Sequence, residues 1–218
     1  MRKYVAELLG TYALVFCGTG AIVIDDQTGA LGHVGMAFTF GLIVLAMIYT
    51  FGSTSGAHFN PAVTLAFSAA RLFPWKEVVP YIVAQLAGAL AASFTLHLLF
   101  PADTALGASL PAGSDMQSFA LEIILTYFLM LVILHVSQGS KETGVMAGIA
   151  IGATVGLEAL FAGPICGASM NPARSIAPAM VSGNMGHLWI YIVAPIIGAM
   201  AATITWKWLH PSASTSTR

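Results

Sequence analysis

The sequence predicts an all-α membrane protein of six spanning helices and two half-length helices, arranged as an inverted repeat. Three observations predict it: an apolar composition, apolar segments of two distinct lengths, and a twelve-residue motif that occurs twice. Of 218 residues, 57% are hydrophobic and 8% charged, against the roughly 25% charged of a soluble domain, and mean hydropathy is +0.84. Most of this surface therefore faces something other than water. A formal net charge of −1 lacks the basic face that nucleic acid demands, so no nucleic-acid partner is expected. Cys17 and Cys166 are too few for a disulfide framework and read as ordinary small residues.

Six segments approach the roughly 20 residues needed to cross about 30 Å of hydrocarbon. They lie at about 4–24, 34–52, 78–100, 118–137, 144–162 and 187–208. Met1–Ile24 has the basic start of a signal peptide, but Glu7 interrupts it and no Ala-x-Ala-like site precedes Asp25, so a retained helix is expected. Polar links separate the spans: Asp25–Gly32, Arg71–Glu77, Pro101–Gln117 and Gln138–Thr143. One channel-sized domain is expected over 1–210, and the Ser- and Thr-rich tail 211–218 reads as disordered. Two further apolar stretches, Asn60–Ala70 and Asn171–Val181, are too short to cross. About ten helical residues at about 1.5 Å each reach only half a bilayer.

The charges alternate from link to link. Arg2 and Lys3, Arg71 and Lys76, Lys141, and Lys207 with Arg218 share one side if all six segments span, while Asp25, Asp26, Asp103 and Asp115 take the other. The excess of Lys and Arg places both termini in the cytoplasm. Arg174 alone escapes the pattern.

The motif Ser55-Gly-Ala-His-Phe-Asn-Pro-Ala-Val-Thr-Leu-Ala66 returns as Cys166-Gly-Ala-Ser-Met-Asn-Pro-Ala-Arg-Ser-Ile-Ala177, with six of twelve positions identical. Upstream, Glu7-Leu-Leu-Gly-Thr-Tyr resembles Glu122-Ile-Ile-Leu-Thr-Tyr, and Glu precedes Asn by 53 residues (60 − 7) and 49 residues (171 − 122). The repeats run over about 3–100 and 118–208. Three spans in each give them opposite orientations, and short interrupted segments at matching places mark the transport site.

Asn is a favoured N-cap and Pro suits the first helical turn, so Asn60-Pro61-Ala62 and Asn171-Pro172-Ala173 each start a helix. In an inverted pair the two starts meet near the midplane, each carrying roughly half a positive charge, and together they repel cations and hopping protons. Each Asn amide has donors for a passing oxygen. The unwound residues Gly56, Ala57 and His58, and Gly167 and Ser169, offer carbonyl acceptors. Backbone of this kind is tolerated at depth only where it is buried or lines a wet cavity.

These motifs resemble those of the major intrinsic protein (aquaporin) superfamily, and the resemblance covers residues 3–208. It implies an hourglass fold in a cell (plasma) membrane and a homotetramer with one pore per monomer. Glu7 and Glu122 would brace the two re-entrant loops. The family's four selectivity positions fall on Phe40, Ala159, Ala168 and Arg174. Water-selective members typically place Phe, His, a small residue or Thr/Cys, and Arg there, and glycerol facilitators Trp, Gly, Phe and Arg. Alanine at 159 in place of His implies a wider, less polar hole. Ala162-Gly-Pro-Ile-Cys-Gly-Ala-Ser-Met-Asn-Pro-Ala-Arg-Ser175 and Trp189-Ile-Tyr-Ile-Val-Ala-Pro-Ile-Ile-Gly198 resemble the nodulin-like branch, whose members often pass glycerol, urea or neutral metalloid hydroxides. Ser175, where glycerol facilitators usually carry Asp, separates this chain from them.

The function expected is passive conduction of water and small uncharged solutes with exclusion of protons and ions. The alternatives are a water-selective channel and an ion-coupled secondary transporter, which also uses inverted repeats and broken helices. His58 is read as either a vestibule residue or a packed core histidine, and Glu158 as a second brace for the 167–171 loop or a subunit contact. No catalytic constellation, cofactor or metal site is expected: the six histidines lack ligand spacing and no phosphate loop is present.

Overall fold

The computed structural model describes residues 1–140 and 144–211. Lys141, used above for orientation, and the tail from 212 onward lie outside the described residues. Among the described residues eight α-helices are placed in order: α1 Arg2–Thr28, α2 Gly32–Ser55, α3 Pro61–Ala69, α4 Val78–Leu99, α5 Asp115–Gln138, α6 Ala147–Cys166, α7 Pro172–Ser182 and α8 Leu188–Leu209. Six of them are long and apolar enough to cross a membrane, and α3 and α7 are the two half-length helices. Large apolar side chains such as Phe161, Leu98 and Trp208 project outward, as a lipid-facing surface requires.

Local chemistry sets the helix ends. Gly29 takes the left-handed conformation (φ 63°) that closes α1, and its N–H reaches the Asp25 carbonyl. Asp25 Oδ1 then accepts from the N–H groups of Leu31 and Gly32, which turns the chain into α2. Lys3 and Tyr4 both bond Glu77 (2.9 and 2.7 Å), tying the start of α1 to the start of α4.

The inverted repeat is visible in the packing. Helix α1 lies against α4, and α5 against α8, each pair meeting at one glycine. A Cβ on Gly88 would stand 2.1 Å from the Leu8 carbonyl oxygen, and one on Gly198 would stand 2.3 Å from that of Ile123. The two halves join where α2 crosses α6, with Gly41 and Gly152 placing backbone on backbone. Close approach through small residues is how helices associate in lipid.

Helix boundaries fall close to the sequence reading, with one instructive exception. The fifth span was expected to end at 162, ahead of Pro164, yet α6 runs on to Cys166. Proline has no N–H to give the carbonyl four residues back. His33 Nε2 supplies the missing donor, 2.8 Å from the Leu160 oxygen, so the helix continues through the proline.

A methyl group at Gly198 has no space to enter, so Gly198→Ala is expected to lower stability by about 1–3 kcal/mol, the usual cost of overpacking. Gly52, with open space around its Cα, serves as the control: Gly52→Ala should be neutral or slightly stabilising. Thermal unfolding in detergent micelles checks both, and equal behaviour of the two variants would refute the close-approach argument.

Candidate functional site

Helices α3 and α7 enter from opposite sides and meet end to end. Asn60 caps α3, its Oδ1 accepting from the Ala62 N–H (2.9 Å). Asn171 caps α7, its Oδ1 accepting from Ala173 (3.0 Å) and Arg174 (3.4 Å). The caps are also crossed. Asn60 Nδ2 donates to the Met170 carbonyl (2.8 Å), and Asn171 Nδ2 donates to the Phe59 carbonyl (2.9 Å). Each asparagine thus holds the residue that precedes the other. One N–H of each amide is committed to this brace, leaving the second for the cavity that both residues line.

The chain before each asparagine follows one conformational script. Gly56, Ala57 and Phe59 have φ of 85°, 52° and 48°, and Gly167, Ala168 and Met170 have 80°, 41° and 53°. Left-handed backbone is unfavourable for residues other than glycine and persists only where surroundings over-determine it. Two buried carboxylates do so. Glu7 accepts from the N–H groups of His58 (2.9 Å) and Phe59 (2.8 Å), and Glu122 accepts from those of Ser169 and Met170 (2.8 Å each). Both glutamates have zero exposure.

Glu158 does not share that work. Its Oε2 is buried with no hydrogen-bond partner among the described residues, and the N–H groups it was expected to brace belong to Glu122. Its burial (6% exposed) also removes it from any outward contact. On a helix of about 100° per residue, Glu158 and Ala159 fall on either side of the line through Gly148, Ile151 and Val155, which with Ala147 are the α6 residues that line the cavity.

A cavity of about 610 Å³ runs from Phe40 and Arg174, past both asparagines, to Tyr49, Ser53, Ser137 and Val145 at the end carrying the N-terminus. Its lining combines apolar residues such as Leu14, Val44, Ile133 and Val155 with the unwound loop residues Gly56, Ala57 and His58 and Ala168 and Ser169. Of the residues predicted from sequence, Phe40, Ala168, Arg174, the two asparagines and these loop residues meet here. Ala159 is buried on α6 one turn beyond Val155, and Gly167 packs against Ser109 and Leu110; neither lines this cavity.

Arg174 closes one end. Its Nη1 donates to the Gly107 carbonyl (2.8 Å) and Ser109 Oγ (2.9 Å), and its guanidinium carbon stands 5.0 Å over the Phe40 ring. The ring has its place because Gly18 on α1 has no side chain; a Cβ there would lie 2.2 Å from Phe40. Ser175 extends the network to Ser109 (2.8 Å) and Ser169 (2.5 Å). His58 is both core and wall: Phe67, Phe73 and Tyr81 surround its ring, and its Nδ1 meets Thr64 Oγ1 at 3.1 Å, while it also borders the cavity.

Sequence reasoning missed Gly107 and Ser109, which sit in an irregular link without periodicity or motif. The only signal was general: a buried arginine needs acceptors. It also missed Gln85, which donates to Glu7 Oε2 (2.7 Å) and Thr64 (2.9 Å). A lone Gln in an apolar span was a readable sign of a polar partner.

Comparison with known proteins bears on this geometry. The sequence profile described as major intrinsic protein matches residues 1–206. Aquaporin NIP1-1 of Oryza sativa subsp. japonica is 49% identical over 203 residues, covering 92% of this chain and 72% of that protein. Nodulin-26 of Glycine max is 45% identical over 203 residues, covering 92% and 75%. The solved aquaglyceroporin from Plasmodium falciparum superposes with a TM-score of 0.85 at 27% identity, covering 99% of both chains. Two facing capped half-helices, a cavity between them and these relatives lead to one conclusion: the chain belongs to the major intrinsic protein family and is a NIP-type aquaporin, a membrane channel and not an enzyme.

Proposed function

We propose that this channel conducts water together with small uncharged solutes, of the class of glycerol, urea and neutral metalloid hydroxides, and excludes protons and ions. The observation that carries the reading is the mixed lining of the cavity, where two capping asparagines and two unwound loops meet apolar side chains. The asparagine amides and the polar groups of the unwound loops replace part of a neutral solute's hydration, and the apolar residues of the same lining give a charged species nothing in exchange. The facing helix starts and the permanently charged Arg174 add a positive focus that cations must pass.

In this reading Phe40, Ala168 and Arg174 form the selectivity filter at the end of the cavity, Ala159, one turn beyond the cavity-lining Val155, is its small fourth position, and the two Asn-Pro-Ala motifs are the second control point. Alanine at 159 and 168 leaves the filter's breadth to Phe40 and Arg174, which supports passage of solutes larger than water. The fold shared with an aquaglyceroporin supports the same breadth. Residues 1–210 act as one channel domain, in a homotetramer in the plasma membrane with both termini cytoplasmic. The one-sided distribution of Lys and Arg supports that orientation. One observation favours a second reading, a water-selective channel: the Arg174 guanidinium lies directly over the Phe40 ring and narrows the opening between them.

Stopped-flow light scattering on proteoliposomes separates the two readings. Wild type should shrink rapidly in hyperosmotic glycerol and then re-swell, whereas Ala159→His should slow re-swelling at least about tenfold, about 1.4 kcal/mol of added barrier, with water flow retained. Rapid water flow without glycerol entry in the wild type would instead establish the water-selective reading. In the same vesicles, Arg174→Val should raise the proton leak driven by a potassium–valinomycin potential while osmotic water flow persists. An unchanged leak would remove Arg174 from the cation barrier.

A further inference from the structure

The end of the bundle that carries the termini holds a pair of histidines outside the channel. His135 lies near the end of α5 and His210 caps α8, and their ring centres are 5.1 Å apart with planes at 66°. Each ring is oriented by its own helix. His135 Nδ1 is 2.7 Å from the Leu131 carbonyl oxygen, and His210 Nδ1 is 3.0 Å from that of Trp206. A carbonyl only accepts, so both Nδ1 atoms carry the proton, and in a neutral ring the lone pair then sits on Nε2. Neither Nε2 has a hydrogen-bond partner among the described residues. Trp206 stacks on His210 at 5.3 Å and 24°, which steadies the ring further.

We propose that His135 and His210 form a two-histidine site for a borderline divalent transition metal, Cu²⁺ or Zn²⁺, with water completing the coordination shell. Three features support it. Metal-ligating histidines typically give their other ring N–H to a backbone carbonyl, which fixes the tautomer and raises ligand basicity; both rings here do so. The spacing also fits: an ion about 2.1 Å from each Nε2 at a tetrahedral angle sets the ring centres about 5 Å apart. Finally, imidazole suits these ions, and Cu²⁺ binds tightest in the divalent series.

The site's position gives it a structural meaning. Val136 and Ser137, next after His135, line the cavity mouth. Helix α8 in turn holds the end of α3, where Lys207 Nζ donates to the Ala69 carbonyl (2.6 Å). A bound ion would join the wall of the mouth to the helix that supports the first half-helix.

The test uses tag-free full-length protein in detergent micelles titrated with Cu²⁺. Electron paramagnetic resonance should show one copper per chain with hyperfine splitting from two imidazole nitrogens. His135→Ala and His210→Ala should each weaken binding at least about tenfold, the usual cost of disturbing such a site, and His97→Ala should leave it unchanged. His210→Phe keeps a ring over Trp206 and removes the lone pair, so it should bind as poorly as His210→Ala while melting like wild type. Zn²⁺ should raise the melting temperature of wild type and of neither His135→Ala nor His210→Phe. Absence of saturable copper binding in the wild type, or equal binding by the doubly substituted protein, would overturn the proposal.

Discussion

The architecture rests on one constraint: backbone polar groups exposed by breaking a helix at membrane depth need partners, because lipid offers none. Two carboxylates and two asparagine amides provide them. Glu7 and Glu122 take the N–H groups of the two residues before each asparagine, and the asparagines take the carbonyls. With those groups satisfied, four non-glycine residues can remain in left-handed conformations, and the remaining carbonyls of each loop are free to face the cavity. The close glycine contacts of α1 with α4 and α5 with α8 then hold each glutamate-bearing helix in place.

The two repeats solve this problem unequally. Glu7 accepts from Ser55 and Gln85 as well as from backbone, and the Tyr81 hydroxyl donates to the Ser55 carbonyl (2.9 Å). In the second repeat Cys166 and Pro195 stand in the places of Ser55 and Gln85, and the hydroxyl of Tyr191, the counterpart of Tyr81, is buried without a hydrogen-bond partner among the described residues. Arg174 compensates from the other side of its loop, drawing in Gly107 and Ser109. Apart from the crossed asparagine bond, the first loop is thus held by its own repeat, whereas the second also draws on the link between the repeats.

Much of this was legible in the sequence, because span length, half-span length and a duplicated motif are properties of composition and spacing. The paired glutamates were legible too, since a carboxylate inside an apolar span requires a partner. What stayed hidden was set by tertiary geometry. The continuation of α6 through Pro164 depends on His33, 127 residues away from the carbonyl it serves. The partners of Arg174 lie in an irregular link whose residues carry no periodic signal. Glu158 reads in the sequence as a second brace or a subunit contact, but Glu122 holds the loop N–H groups and Glu158 Oε2 is buried with no hydrogen-bond partner among the described residues. The crossed asparagine amides were invisible for a related reason: a capping motif shows which helix it starts, not which distant carbonyl its second nitrogen meets.

That cross-brace joins groups 110 residues apart in the chain, from Asn60 to Met170. During synthesis the first half therefore emerges with its amide and the Phe59 carbonyl lacking their final partners. At about 5–20 residues per second, the interval before the second half arrives is about 5–20 seconds. Throughout that time the first re-entrant segment sits in the membrane as an open-ended wedge, held only from within its own repeat by Glu7, Gln85, Tyr81 and its own N-cap. The greater number of tethers in the first repeat therefore falls on the half that must wait, and the sparser second half arrives to a surface already prepared.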